Sequence, residues 1–322
     1  MTKPVSASAA LVALALAAGC GEPASTEPRA NIAPETEAPA AEANVLELRA
    51  VGLEFEGPGE IASGWTTIRL ENASDMAHFA IVQRRPEGVT IEQQSEEVAS
   101  VFQAGFDLLA AGEADAAMET FGGLPAWYAD VVFLGGPGMV TGGETTEATV
   151  YLEPGSYTIE CYVKTNGVFH SYNPDPEVLA MLHDLVVTED DSGAPEPEAD
   201  YALTVSSEGY APGEGSLAAG ANTIRVEFAD QTAYGNFVGH DVHVVQLGED
   251  VDRQAVIDWM DWTQPGGLET PAPAVFVGGL NEMPAGAAGY FTVDLEPGEY
   301  AFISETPAAD EKALFLPFTI EG

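Results

Sequence analysis

Basic residues are scarce in this chain. Its 322 residues include 10 Lys and Arg against 52 Asp and Glu, a formal net charge of -42. That balance excludes partners bound through clustered cations, such as nucleic acid phosphates or anionic lipid headgroups. Cysteine is nearly absent as well, with only Cys20 and Cys161, so no paired-cysteine zinc pattern exists. No apolar run is long enough to cross a bilayer as a stable helix. A Ser-His-Asp order is missing, and so is a glycine-rich loop leading into a helix. Gly-Gly-Pro-Gly at 135–138 and Gly142-Gly143 read as turns between strands, not as a phosphate site. Paired carboxylates carry no information in so acidic a chain. Nothing points to catalysis, and the expectation is a protein that is not an enzyme.

A core is nevertheless available. Hydrophobic residues make up 46% of the chain, with 14 Phe, 10 Tyr and 4 Trp, so the acids belong on the surface of a folded protein. The 34 Gly and 22 Pro imply many turns and favour β-structure.

The first twenty residues read as an export signal. Lys3 precedes the apolar run from Ala9 to Ala18, which closes on Gly19-Cys20. Ala17-Ala18-Gly19-Cys20 resembles the lipobox of bacterial lipoproteins, with Leu16 one place earlier than usual. The resemblance implies acylation of Cys20 and anchorage in the bacterial cell envelope, with Gly21 favouring the outer membrane. Residues 21–44 are rich in Pro, Ala and Glu and read as an extended acidic tether. Membrane residence would then come from the Cys20 anchor, since the charge of the chain opposes it. With Cys20 consumed, Cys161 is a lone thiol, either buried and inert or functional.

Residues 189–200 have linker composition and separate two related halves, 45–188 and 201–322. Val132-Phe-Leu-Gly-Gly136 recurs as Val275-Phe-Val-Gly-Gly279, and Leu152-Glu-Pro-Gly-Ser-Tyr157 as Leu295-Glu-Pro-Gly-Glu-Tyr300. Both recurrences fall 143 residues apart, whereas Gly64-Trp-Thr-Thr-Ile-Arg69 and Gly220-Ala-Asn-Thr-Ile-Arg225 fall 156 apart. The first half therefore carries about 13 extra residues within a duplicated domain. Short strand-like runs bounded by Gly, Pro or Asn predict a mainly β fold of two tandem Greek-key sandwiches. Val98, Val101, Phe102, Phe106, Leu108 and Leu109 recur at helical spacing, which predicts a helical insert over about 88–122, with a shorter counterpart at Val251–Trp262.

One constellation suggests chemistry. His78 follows Asn72 in a strand-end context, and Pro154-Gly-Ser-Tyr-Thr-Ile-Glu-Cys161 leads into a segment carrying His170, Met181 and His183. This order resembles the cupredoxins, the blue-copper β-sandwich family. The resemblance implies a copper ion held by His78, Cys161 and His170, with Met181 as a weak axial thioether. Eight residues separate Cys161 from His170 and ten separate His170 from Met181, a wider spacing than the family's, which leaves His183 open in place of Met181. In the second half Ser304 stands where Cys161 does, so no such site is expected there. His240 and His243 read as structural or as a remnant, and Trp259 and Trp262 as core or interdomain packing. The implied function is electron transfer or copper handling by an envelope lipoprotein, with a basic redox protein as partner and no nucleic acid. The alternative is a metal-free scaffold that recognises partners through the helical insert and loops.

Overall fold

The computed structural model describes residues 43–175 and 178–322. The expected signal, the Cys20 anchor and nearly all of the tether lie outside them. Asn44, the last tether residue, donates from Nδ2 to the Ala62 carbonyl and to Thr66 Oγ1, both at 2.9 Å. No helix among the described residues is long and apolar enough to cross a membrane.

The first half runs β1 (Val45–Val51), β2 (Glu54–Glu56), β3 (Glu60–Asn72) and β4 (Ile81–Arg84), then the helical insert. It continues with β5 (Val132–Phe133), β6 (Thr145–Leu152), β7 (Gly155–Glu160), β8 (Lys164–Thr165), β9 (Val168–Phe169) and β10 (Leu182–Asp191). The second half repeats most of this order. It comprises β11 (Tyr201–Ser206), β12 (Gly209–Gly215), β13 (Gly220–Phe228), β14 (Val242–Gln246), β15 (Phe276–Leu280), β16 (Ala288–Leu295), β17 (Gly298–Ile303) and β18 (Phe315–Ile320). The mainly β architecture expected from the sequence is the one found. Strand β10 extends to Asp191, so the first residues of the expected linker belong to a strand.

In the first half one layer is β1, β3 and β6, and the other is β10, β7, β4 and β5. Strand β3 serves both layers, pairing with β10 up to Ser63 and with β6 from Gly64. Gly64 sits at the changeover with φ +108, a conformation that L side chains rarely adopt. In the second half β11, β13 and β16 face β15, β14, β17 and β18.

The halves join edge to edge. Strand β16 pairs antiparallel with β6 through Tyr290–Thr149, Phe291–Ala148 and Thr292–Glu147. Because repeat positions lie 143 apart, Ala148 faces its own counterpart, and Pro137 bridges to its counterpart Leu280 in the same way. A pseudo-twofold axis therefore runs through the junction. Close backbone approach there requires glycine: a Cβ on Gly138 would lie 2.7 Å from Gly279 Cα.

Burial explains which strands alternate. In the shared layer β1, β6 and β13 bury every second side chain, as expected of one apolar and one wetter face. Strands β4, β14 and β17 are buried almost continuously, because both of their faces are covered. Over β4 and β7 the cover is the insert: α1 (Ile91–Gln94), a π-helical turn (Ser95–Ala99), α2 (Ser100–Ala110) and α3 (Ala114–Phe121). Thr90 and Gln93 form a capping box that starts it. Gln94 then donates to Gln83 Oε1 at 2.6 Å and accepts from Thr158 Oγ1 at 2.8 Å, which ties the insert to the sheet. The expected counterpart in the second half is α4 (Arg253–Met260), capped by Asp252.

Candidate metal centre

Three segments of the first half converge on one buried point. His78 lies just before β4, and its N–H and carbonyl both bond to Val140. Asn72 braces this loop, donating to the Met76 and Val140 carbonyls while Oδ1 accepts from Ser74. Cys161 follows the last residue of β7. His170 follows β9.

The wide Cys161–His170 spacing has a simple structural reason. Strands β8 and β9 form a hairpin across Asn166-Gly167, both with positive φ (+54 and +76). The extra residues fold back on themselves, so the His170 N–H returns to the Val163 carbonyl at 2.8 Å. Asn-Gly between two short runs is a hairpin signal that the ligand-order reading passes over. The insert and the second half both grip this hairpin. Gln103 of α2 accepts from the Phe169 N–H and donates to the Gly167 carbonyl. Glu269 accepts from the Asn166 and Gly167 N–H groups, and Lys164 pairs backbone to backbone with Leu268 and Thr270.

The donor atoms form a triangle. His78 Nδ1 lies 3.3 Å from His170 Nδ1 and 3.4 Å from Cys161 Sγ, and Sγ lies 3.9 Å from His170 Nδ1. Two imidazole nitrogens and a thiolate around one divalent ion, at bond lengths of about 2.05 and 2.3 Å, would sit roughly 3.5–3.8 Å apart. The donor types and their separations fit a copper ion. All three side chains are buried, at 0% (His78), 0% (Cys161) and 1% (His170) exposure.

Outer contacts fix one of the rings. His170 Nε2 lies 2.9 Å from Thr165 Oγ1, and that hydroxyl lies 2.8 Å from Thr270 Oγ1 of the second half. With Nε2–H donating to Thr165, the lone pair of His170 Nδ1 faces the cluster. His78 Nε2 is buried and makes no hydrogen bond. Burial lowers the His78 pKa to about 4, and burial together with neighbouring His78 lowers that of His170 to about 3. Burial raises the Cys161 thiol to about 12. At neutral pH both imidazoles are therefore neutral and available as ligands, whereas an ion must displace the thiol proton.

Met181 and His183 part company. Met181 is fully buried, its carbonyl accepts from the Cys161 N–H, and its N–H donates to the His170 carbonyl. Its backbone thus links two members of the triangle. His183 is directed elsewhere, with Nε2 2.9 Å from the Pro58 carbonyl, and is not among the residues brought together.

The second half lacks the set. Its hydrogen-bond register places Ser304 where Cys161 stands, because Ser304 N–H donates to the Leu314 carbonyl as Cys161 N–H does to Met181. By the same logic Leu314 replaces Met181 and Ala309 replaces His170. Strand pairing places His240 at the position of His78, since His243 faces Ile303 as Ile81 faces Glu160. Only His240 is retained, and it bonds to Tyr234.

Asp241, His243 and Glu305 also cluster, and all are buried. They form a hydrogen-bonded network. The Met139 N–H donates to His243 Nδ1 at 2.9 Å, so Nε2 carries the proton and faces Asp241 Oδ2 at 2.9 Å and Glu305 Oε1 at 3.2 Å. A second proton on Nδ1 would confront the Met139 N–H, so we assign the neutral form, whose Nε2 has no lone pair for a metal.

Trp259 and Trp262 are buried, and each indole N–H donates to a carbonyl, Glu269 and Asn236 respectively. Trp262 packs edge-on against Phe102, Phe121 and Phe169 of the first half, as expected for interdomain packing.

No family model and no curated protein matches the chain. Solved structures similar to it include auracyanin A, a "blue" copper protein from Chloroflexus aurantiacus. That match has 25% identity and a TM-score of 0.27, and covers 46% of this chain and 100% of the other. An auracyanin of Roseiflexus castenholzii is 17% identical with a TM-score of 0.29, covering 38% and 95%. A copper nitrite reductase from Nitrosomonas europaea is 10% identical with a TM-score of 0.22, covering 87% and 95%. These superpositions are partial, and the functional reading rests on the residues of this chain.

Proposed function

We propose that the first half would hold one copper ion through His78, Cys161 and His170, with the Met181 thioether as a further donor, and that the protein carries single electrons. The convergence of Nδ1, Nδ1 and Sγ from three separate segments within 3.3–3.9 Å supports this reading. Copper in such a ligand set is tolerated in both oxidation states, which is the chemistry of a one-electron carrier.

The residues contribute in distinct ways. Neutral His78 and His170 supply nitrogen lone pairs, and Cys161 gives up its proton. Asn72 braces the loop that carries His78, and the Thr165 hydroxyl fixes the His170 imidazole. Complete burial of the three side chains keeps water and substrates away from the ligand atoms, which suits a carrier better than a catalyst. The second half, without a thiolate, supports the first by gripping the hairpin before His170. In this reading Cys20 anchors the chain in the cell envelope through acylation, the acidic tether lifts the folded part off the membrane, and a basic redox protein docks on the acidic surface.

Protein-film voltammetry of the copper-loaded, lipid-free chain tests the carrier assignment. A reversible one-electron wave is expected. Retained copper with no reversible wave would leave a storage or handling protein and overturn the carrier reading.

A further inference from the structure

A partly open cleft lies between the halves, beside the end of β7. Its walls include Glu160, Phe102 and Phe169 from the first half and Glu282, Phe237 and Trp262 from the second. Two carboxyl groups thus enter a cleft walled by aromatic rings, one from each half. No Lys, Arg or His lines it among the described residues. No Lys or Arg nitrogen lies within 4.0 Å of either carboxylate among those residues.

Glu282 is the informative member. It is only 8% exposed, Oε2 accepts the Gly239 N–H at 2.6 Å, and Oε1 has no hydrogen-bond partner among the described residues. Oε1 is not among the buried atoms left without a partner, so it opens into the cleft, where water or an arriving cation reaches it. Aromatic faces attract cations through their quadrupoles, most strongly where water is excluded. The same walls disfavour a metal ion, because no third His, Cys, Asp or Glu joins Glu160 and Glu282 as a ligand group among the described residues.

We propose that this cleft binds a small organic ammonium ion, held by Glu282 and Glu160 and enclosed by the rings of Phe102, Phe169, Phe237 and Trp262. Its cavity volume of about 50 Å³ is room for about four waters at 10–15 Å³ each, which accommodates a methylated or primary ammonium head. Burial raises Glu282 to about 8 in the empty cleft, so an arriving cation would also draw off a proton. The site does not depend on the copper reading: none of its lining residues belongs to the donor triangle, and it needs no metal.

Calorimetric titration of the metal-free full chain with choline tests the proposal, with 3,3-dimethylbutan-1-ol as the uncharged isostere. Saturable choline binding is expected, with the isostere at least about tenfold weaker. Glu282→Gln keeps the acceptor for Gly239 N–H and removes the charge, and it should weaken choline about tenfold. Phe237→Ala should weaken it by about three- to tenfold through loss of one ring. If Glu282→Gln fails to fold, Phe237→Ala and the isostere still decide. Equal binding of choline and isostere would overturn the proposal. So would affinity unchanged in both variants, the absence of saturable binding, or displacement of choline by stoichiometric calcium.

Discussion

Thr165 shows how a residue outside the donor triangle sets its chemistry. Its hydroxyl meets His170 Nε2 on one side and Thr270 on the other, so His170 presents Nδ1 inward with its ring fixed. Thr165→Val removes that acceptor while preserving shape, and should lower copper affinity 10–100-fold. Thr165→Ser should restore it. Competition against a chelator of known affinity checks both, and equal affinities for Val and wild type would contradict the assigned tautomer. At this scale much of the site was legible. His78, Cys161 and His170 stand out by type and order, because few residues other than His and Cys offer soft or borderline donors. The choice between Met181 and His183 was not legible. It depends on strand register, which puts the Met181 backbone between Cys161 and His170 and turns His183 towards Pro58.

At the level of elements, the β8–β9 hairpin carries the largest difference from expectation. The eight residues between Cys161 and His170 read only as a wider spacing than the family's, whereas they form a hairpin clamped between α2 and the second half. Lys164 on β8 is the buried tie: Nζ donates to the Trp262 carbonyl at 2.7 Å and to the Gln264 carbonyl at 3.2 Å, and lies 3.5 Å from the Phe106 ring centroid. Burial lowers its pKa to about 7, against the opposing pull of Glu269 and Asp261. Below pH 7 folded and unfolded chains both hold this proton. Between about 7 and 10.5 only the unfolded chain does, so folding gains stability as pH rises across that window. Chemical denaturation of wild type and Lys164→Met at pH 7 and pH 10 should therefore show wild type gaining relative to the variant at the higher pH. A constant difference would contradict the buried, depressed lysine. The long alternating strands β1, β3 and β6 were legible from their period of two. The short or glycine-rich β2, β5, β8, β9, β12 and β15 were not, because two to seven residues of weak pattern give no period to read.

For the whole molecule the decisive feature is that the duplication is not two beads on a string. Strands β6 and β16 make one continuous layer, and segments around Pro137 and Leu280 pair with their own repeat counterparts. The repeat was visible in the sequence, but self-pairing of the halves was not, since identical strand patterns suit a shared sheet and two separate ones equally well. Both halves accordingly lie within one compact unit. Heat unfolding should show one cooperative transition, with calorimetric and van't Hoff enthalpies agreeing. Two resolved transitions would mean that the halves fold independently and that the shared layer contributes little. The same junction gives the second half a role without a thiolate, since Glu269, Thr270 and Trp262 reach the hairpin that leads to His170.

Copper content and the visible spectrum, measured on dialysed wild-type and Cys161→Ser chains after loading with Cu(II), test the central claim most directly. One copper per wild-type chain, with an intense thiolate-to-copper band that vanishes in Cys161→Ser, is the predicted result. No retained copper in the wild type, or the same spectrum in both chains, would contradict a copper centre at His78, Cys161 and His170.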